Sequence, residues 1–133
     1  MTDKTYIRDF ANKKTASISA ATVRVNDFDG TNAIDIFNLP EKALVTNTYV
    51  ITESAGNTGL TLDVSIGATV IVNDADVDTT NDFTESATNN ITGTGKTVSV
   101  KPSVEVTSGE FTIIVEYIEY TLNTNMLTNY SRQ

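Results

Sequence analysis

The chain has 133 residues, a net charge of −8 at pH 7 and no cysteine, histidine or tryptophan. That length suits one domain, which buries roughly two thirds of the surface its unfolded chain exposes, so a self-sufficient core is available. The missing residue types exclude a disulfide framework, a thiolate metal site and imidazole acid–base chemistry, and with them the usual means of most enzyme classes.

Residues 1–14 show no clean hydrophobic period and read as an N-terminal arm. Lys4, Arg8, Lys13 and Lys14 stand there against Asp3 and Asp9, and Tyr6, Ile7 and Phe10 lie close enough to form an apolar hook. These cations are too scattered for a nucleic-acid footprint, and the rest of the chain is acidic, so no nucleic-acid partner is expected. The opening MTDKTYIRDF lacks the apolar core of a signal peptide, and no run approaches the roughly eighteen apolar residues of a membrane helix. A soluble protein without a membrane partner is expected.

From Thr15 to Val25 the composition, rich in Ser, Thr and Val, predicts a first strand, and NDFDGTN at Asn26 to Asn32 collects turn formers. A second strand over Ala33 to Leu39 carries Ile34 and Ile36 on one face and ends at Pro40. In the third, Ala43 to Glu53, Val45, Tyr49 and Ile51 share one parity and Leu44 and Val50 the other, which predicts partial burial on both sides. After the turn SAGNTG, Leu60, Leu62, Val64 and Ile66 alternate strictly with Thr61, Asp63 and Ser65, the cleanest amphipathic strand of the chain. Gly67 breaks it, and Ala68 to Asn73 reads as a short return strand. Asp74 to Thr94 is nearly devoid of apolar residues beyond Val77, Phe83 and Ile91, which predicts a long loop with at most one short strand.

Lys96 to Lys101 resumes alternation through Val98 and Val100, and Pro102 and Gly109 bracket a turn containing Val104 and Val106. Gly109 to Tyr120, GEFTIIVEYIEY, is the longest unbroken strand-forming run. Phe111, Ile113, Val115 and Tyr117 make one wholly apolar face, and Thr112, Ile114, Glu116 and Ile118 make another that is only half polar, the signature of a central strand. Residues 121–133, TLNTNMLTNYSRQ, form a polar C-terminal arm in which Leu122, Met126, Leu127 and Tyr130 are spaced for either a loose helix or an extended segment. Short strands with turn signals every eight to twelve residues or so predict an all-β fold, an antiparallel β-sandwich of jelly-roll type over residues 15–120.

The sharpest local pattern is DADVDTTNDFTE. Asp74, Asp76, Asp78, Thr80, Asp82 and Glu85 occupy the oxygen-donor positions of a calcium loop, and three carboxylates around one cation relieve their mutual repulsion. Thr79 stands where such loops need glycine, Asn81 where they carry an apolar residue, and neither flank reads as a helix, so a solvated acidic loop is the competing reading. Asp27, Asp29 and Asn32 form a second acidic turn, a pattern that two-carboxylate glycosidases share with many acidic β proteins. Tyr49, Tyr117 and Tyr120 are candidates for sugar stacking or for sheet packing. The sequons at Asn90 and Asn129 matter only in a secreted eukaryotic protein. No other cofactor is expected, and no catalytic residue.

The order of a Leu39-Pro40 turn, ALVTNTYVITE, GNTGLTLDVSIG, a long variable loop, TGTGKTVSVKPS and GEFTIIVEYIEY resembles the small β-sandwich virion proteins of tailed bacteriophages. Those proteins serve as head decoration (cement) proteins or as parts of fibres, and LTLDVG-type and VVVEY-type strands recur among them. The likeness spans roughly Leu39 to Tyr120. It implies a non-enzymatic structural protein on the virion, made in the bacterial host cytoplasm, that binds and stabilises the major capsid protein lattice as a homo-oligomer, by analogy a trimer. The arms would then bind partners, through Tyr6, Ile7, Arg8, Phe10, Lys13 and Lys14 at one end and Leu122, Met126, Leu127 and Tyr130 at the other. A carbohydrate- or receptor-binding module of a phage fibre or tail is the alternative that the same resemblance implies.

Overall fold

The computed structural model describes residues 16–120. They form nine strands: β1 Ala16–Arg24, β2 Ile34–Leu39, β3 Ala43–Ser54, β4 Thr61–Ile66, β5 Thr69–Asp76, β6 Asp82–Ser86, β7 Asn90–Ile91, β8 Lys96–Pro102 and β9 Glu110–Glu119, with a single 3-10 turn at Val25–Asp27. One sheet has the order β1-β9-β3-β6, with β7 also on β3, and the other has the order β2-β8-β4-β5. Every pairing is antiparallel. Successive strands pass from sheet to sheet except at the β4–β5 hairpin and the β6–β7 step. This is a jelly roll of two four-stranded sheets, with β7 as a two-residue addition.

The core lies between the sheets and follows the alternation of β4, β8 and β9. Leu60, Leu62, Val64, Ile66, Val98, Val100, Phe111, Ile113 and Val115 are wholly buried and Tyr117 nearly so, as the sequence pattern predicts. β9 is central, held on one side by β1 and on the other by β3. Phe28 packs onto this core from the first turn, its ring meeting that of Phe111 edge-on with centroids 6.2 Å apart.

Two local expectations are corrected. In β3, Val45 and Val50 are both buried although they differ in parity, because a bulge between Val45 and Asn47 inserts one extra residue against β9. The bulge turns Thr48, Val50 and Thr52 inward and Tyr49 and Ile51 outward. The stretch 74–94 is not one long loop. β5 continues to Asp76, the chain turns at Asn81 with φ 63°, β6 pairs with β3 from Asp82 to Ser86, and β7 pairs again at Asn90 and Ile91. Polar residues can form these strands because both lie at the margin of the sheet, where much of their side-chain surface faces water.

Candidate functional site

The acidic stretch is distributed over a strand end, a turn and a second strand. Asp74, in a left-handed conformation with φ 55°, donates its N–H to Asp63 Oδ1 at 2.7 Å. Asp76 Oδ1 accepts the N–H of Asp78 at 3.2 Å, and Asp78 Oδ2 accepts that of Gly59 at 3.0 Å. Thr80 Oγ1 accepts the N–H of Ala55 at 3.0 Å, Asp82 Oδ1 that of Phe83 at 2.9 Å, and Glu85 lies across the ladder from Tyr49. Asp76, Asp78, Thr80 and Asp82 thus accept the backbone N–H groups of four different residues. Among the described residues no group of three or more acidic side chains is gathered as a metal site would gather them.

The Gly59 N–H holds the Asp78 carboxyl below the usual carboxylate range. Beside this stretch, Asp63, Asp74, Lys101 and Ser103 line an open polar depression of about 320 Å³. It has the size of a small ligand site without the apolar enclosure such sites need.

The other acidic turn is equally local. Asp27 Oδ2 accepts the N–H of Arg24 at 2.9 Å, closing the 3-10 turn, and Asn32 Nδ2 donates to Asp29 Oδ2 at 3.4 Å across an isolated bridge. The three tyrosines make no common platform. Tyr117 faces the core, Tyr49 stands on the outer side of its sheet, and Tyr120 is exposed at the end of β9. Partial burial raises the Tyr49 phenol, and the negative charges of Glu85 and Glu116 raise it further. Asn90 lies in β7 and accepts a hydrogen bond from Lys96 Nζ at 3.1 Å, and Asn129 lies outside the described residues.

The partner-binding candidates Tyr6, Ile7, Arg8, Phe10, Lys13, Lys14, Leu122, Met126, Leu127 and Tyr130 also lie outside the described residues. The strands next to them nevertheless define where both segments attach. Ala16, the first residue of β1, is opposite Ile118 near the end of β9, and the N–H of Tyr120 donates to Lys42 O at 2.9 Å. Both segments therefore attach at one end of one sheet, on neighbouring strands.

The outer face of that sheet was not singled out in the sequence. Ile18 on β1, Phe83 on β6 and Ile91 on β7 are 65%, 62% and 57% exposed. Half-buried Ile114, Ile118 and Tyr49 stand between them, interrupted by Glu85 and Glu116. The signal was the half-apolar second face of GEFTIIVEYIEY, which becomes a surface once β1, β3, β6 and β7 are placed beside it.

The fold is shared with chains of phage capsids. A chain of the acid-stable capsid of Helicobacter pylori bacteriophage KHP30 aligns with a TM-score of 0.58 at 17% identity, covering 84% of this chain and 95% of that one. A chain of the cyanophage Pam1 capsid aligns at 0.59 and 19% identity, covering 79% and 85%, and one of the Ralstonia phage GP4 capsid at 0.59 and 17%, covering 82% and 86%. No protein-family model and no curated protein matches the chain. At these identities the likeness is one of fold, and it agrees at that level with the resemblance to phage virion β-sandwich proteins.

Proposed function

We propose that the protein is a non-enzymatic structural component of a phage virion, a decoration or cement protein that binds the major capsid protein lattice from the capsid surface as a homotrimer. The observation that carries this reading is the common attachment of residues 1–15 and 121–133 at the Ala16–Ile118 end of the five-stranded sheet. The basic N-terminal segment with Tyr6, Ile7 and Phe10, and the C-terminal one with Leu122, Met126, Leu127 and Tyr130, then join the jelly roll at the same end. A globule that presents two peptide arms from one end can span neighbouring subunits of a shell. Ordering each arm residue costs on the order of 1–2 kcal/mol, which burial and charge pairing against the partner must offset. Many arms on one lattice add through avidity. The fold, shared over most of their length with chains of three phage capsids, supports the same reading.

Deletion of residues 1–14 or 121–133 is the direct test. Each truncated form is expected to keep its β circular dichroism and to lose co-sedimentation with undecorated capsids, with density for the protein absent from cryo-EM maps. Full occupancy by both truncated forms would remove the arms from the mechanism and this reading with them.

A further inference from the structure

The sheets are bounded by β1 and by β6 with β7 in one, and by β2 and β5 in the other. An edge strand offers unpaired N–H and C=O groups, and natural sheets blunt that template with charge, proline, bulges or brevity. β2 carries Asp35 and a bulge between Asp35 and Phe37, and Pro40 follows it; β5 contains Asp74 and Asp76 and slips register twice against β4; β6 is five residues long with Asp82 and Glu85. Within its described residues β1 has none of these protections before its last position. Its nine residues, ASISAATVR, run in unbroken register against β9, with one charge at the last position and Ile18 exposed beside the edge. A long, regular edge whose single charge is terminal is a template for pairing with another strand.

The sequence beyond Tyr120 holds a segment of the same length and the complementary character. Leu122, Thr124, Met126, Thr128 and Tyr130 alternate with Asn123, Asn125, Leu127 and Asn129, a period of two with one face of apolar residues and threonine. Resting on the oligomeric reading above, we infer that residues 122–130 of one copy add as an antiparallel strand to the edge of β1 in the next copy, which no strand covers among the described residues.

The choice of the next copy follows from how the chain leaves β9. The hydrogen bond from Tyr120 N–H to Lys42 O continues the β9–β3 ladder to the last described residue, so β9 ends still paired on its β3 side, the side opposite β1. To reach its own β1 edge, the segment would have to cross the chain entering at Ala16 and then run parallel to β1. Connections that cross at one end of a sheet and tight parallel returns are both disfavoured. Donation to a second copy needs neither. A donor and an acceptor on different parts of the surface make a head-to-tail contact, which closes as a ring where the rotation allows, the kind of contact a cyclic trimer requires.

The absence of native cysteine makes disulfide trapping a clean test. In the full chain, one cysteine replaces Ile18, Ala20 or Thr22, all exposed, and a second replaces each position from 122 to 130 in turn, with folding checked by circular dichroism. Oxidation is carried out free in solution and on capsids. The expected product is a disulfide between chains, seen as multiples of the chain mass before reduction. The best-coupled donor position should fall by two for each two-residue step from Ile18 to Thr22, as antiparallel register demands. Trapping within one chain, a rising order, or no trapping at any pair would each overturn the inference. The two readings separate in the same variants: capsid binding without trapping rejects strand donation alone, and trapping without capsid binding rejects the capsid role alone.

Discussion

A Cβ placed on Gly109 would lie 2.5 Å from Cζ of Phe111, and Gly109 itself sits at φ 113°, a conformation that side-chain-bearing residues rarely adopt. The glycine before β9 is therefore required twice, by the backbone and by the ring that anchors the core. Gly109→Ala should destabilise the fold by about 2–4 kcal/mol, the sum of backbone strain and overpacking. Urea unfolding of the variant would read this as a large drop in midpoint with little change in slope.

The two faces of β9 should respond differently to truncation. Ile113 is wholly buried between the sheets, so Ile113→Ala should cost about 2–5 kcal/mol through transfer and cavity terms. Ile114 points to the outer face and is half-buried, and Ile114→Ala should cost about 1 kcal/mol or less in the isolated protein. Equal midpoints for the two variants would mean that the faces are interchanged.

The strands legible in the sequence were those whose side chains alternate without interruption. β4, β8 and β9 keep strict parity between one buried and one solvent-facing side, and their core residues follow directly. β3 did not read correctly because its bulge lies at Thr46, where nothing in the local composition marks an extra residue and the pairing with β9 alone reveals it. β6 and β7 were hidden because a strand at the margin needs few apolar side chains. For the same reason DADVDTTNDFTE looked like one ligand loop although it spans the end of β5, a turn and the start of β6. Its carboxylate oxygens accept backbone N–H groups from Gly59, Asp78 and Phe83, partners that sequence spacing does not encode.

Those hydrogen bonds predict the response to metal. Asp76, Asp78 and Asp82 already accept N–H groups at separate points of the turn, so assembling them around a cation would break several bonds at once. Calcium at millimolar concentration should leave the melting temperature unchanged and release no heat on calorimetric titration beyond dilution. A rise in melting temperature that saturates with calcium would show that the loop rearranges to bind it.

Stability should decline toward both ends of the pH scale through Asp78 and Tyr49. The folded Asp78 carboxyl lies below its ordinary value because it accepts the Gly59 N–H, so its contribution is complete above the ordinary carboxylate range and is lost as pH falls through the folded value. The folded Tyr49 phenol lies above its ordinary value of 10.0, from partial burial first and then from Glu85 and Glu116. Its contribution is complete below that ordinary value and is lost as pH rises through the folded one. Melting temperatures across pH should show a shallower acid limb in Asp78→Asn and a shallower alkaline limb in Tyr49→Phe.

The hydroxyls of Thr48 and Thr52 are the one polar intrusion that the inner face of β3 carries without hydrogen-bond partners among the described residues. Both residues are wholly buried, Thr48 opposite Val115 and Thr52 opposite Phe111. A buried hydroxyl without a partner costs about 1–3 kcal/mol relative to an apolar group of the same shape, and valine matches threonine in shape and in strand preference. Thr52→Val should therefore stabilise the protein by about 1 kcal/mol or more. Thr52→Ser, which keeps the hydroxyl and removes the methyl, should destabilise it by about 1 kcal/mol. Two strand residues four apart share no direct contact, so the gains from Thr48→Val and Thr52→Val should add in the double variant. Urea midpoints for the four proteins decide the matter: a loss on Thr→Val would mean that these hydroxyls are paired in solution and that the inner face of β3 holds a polar bond within the core.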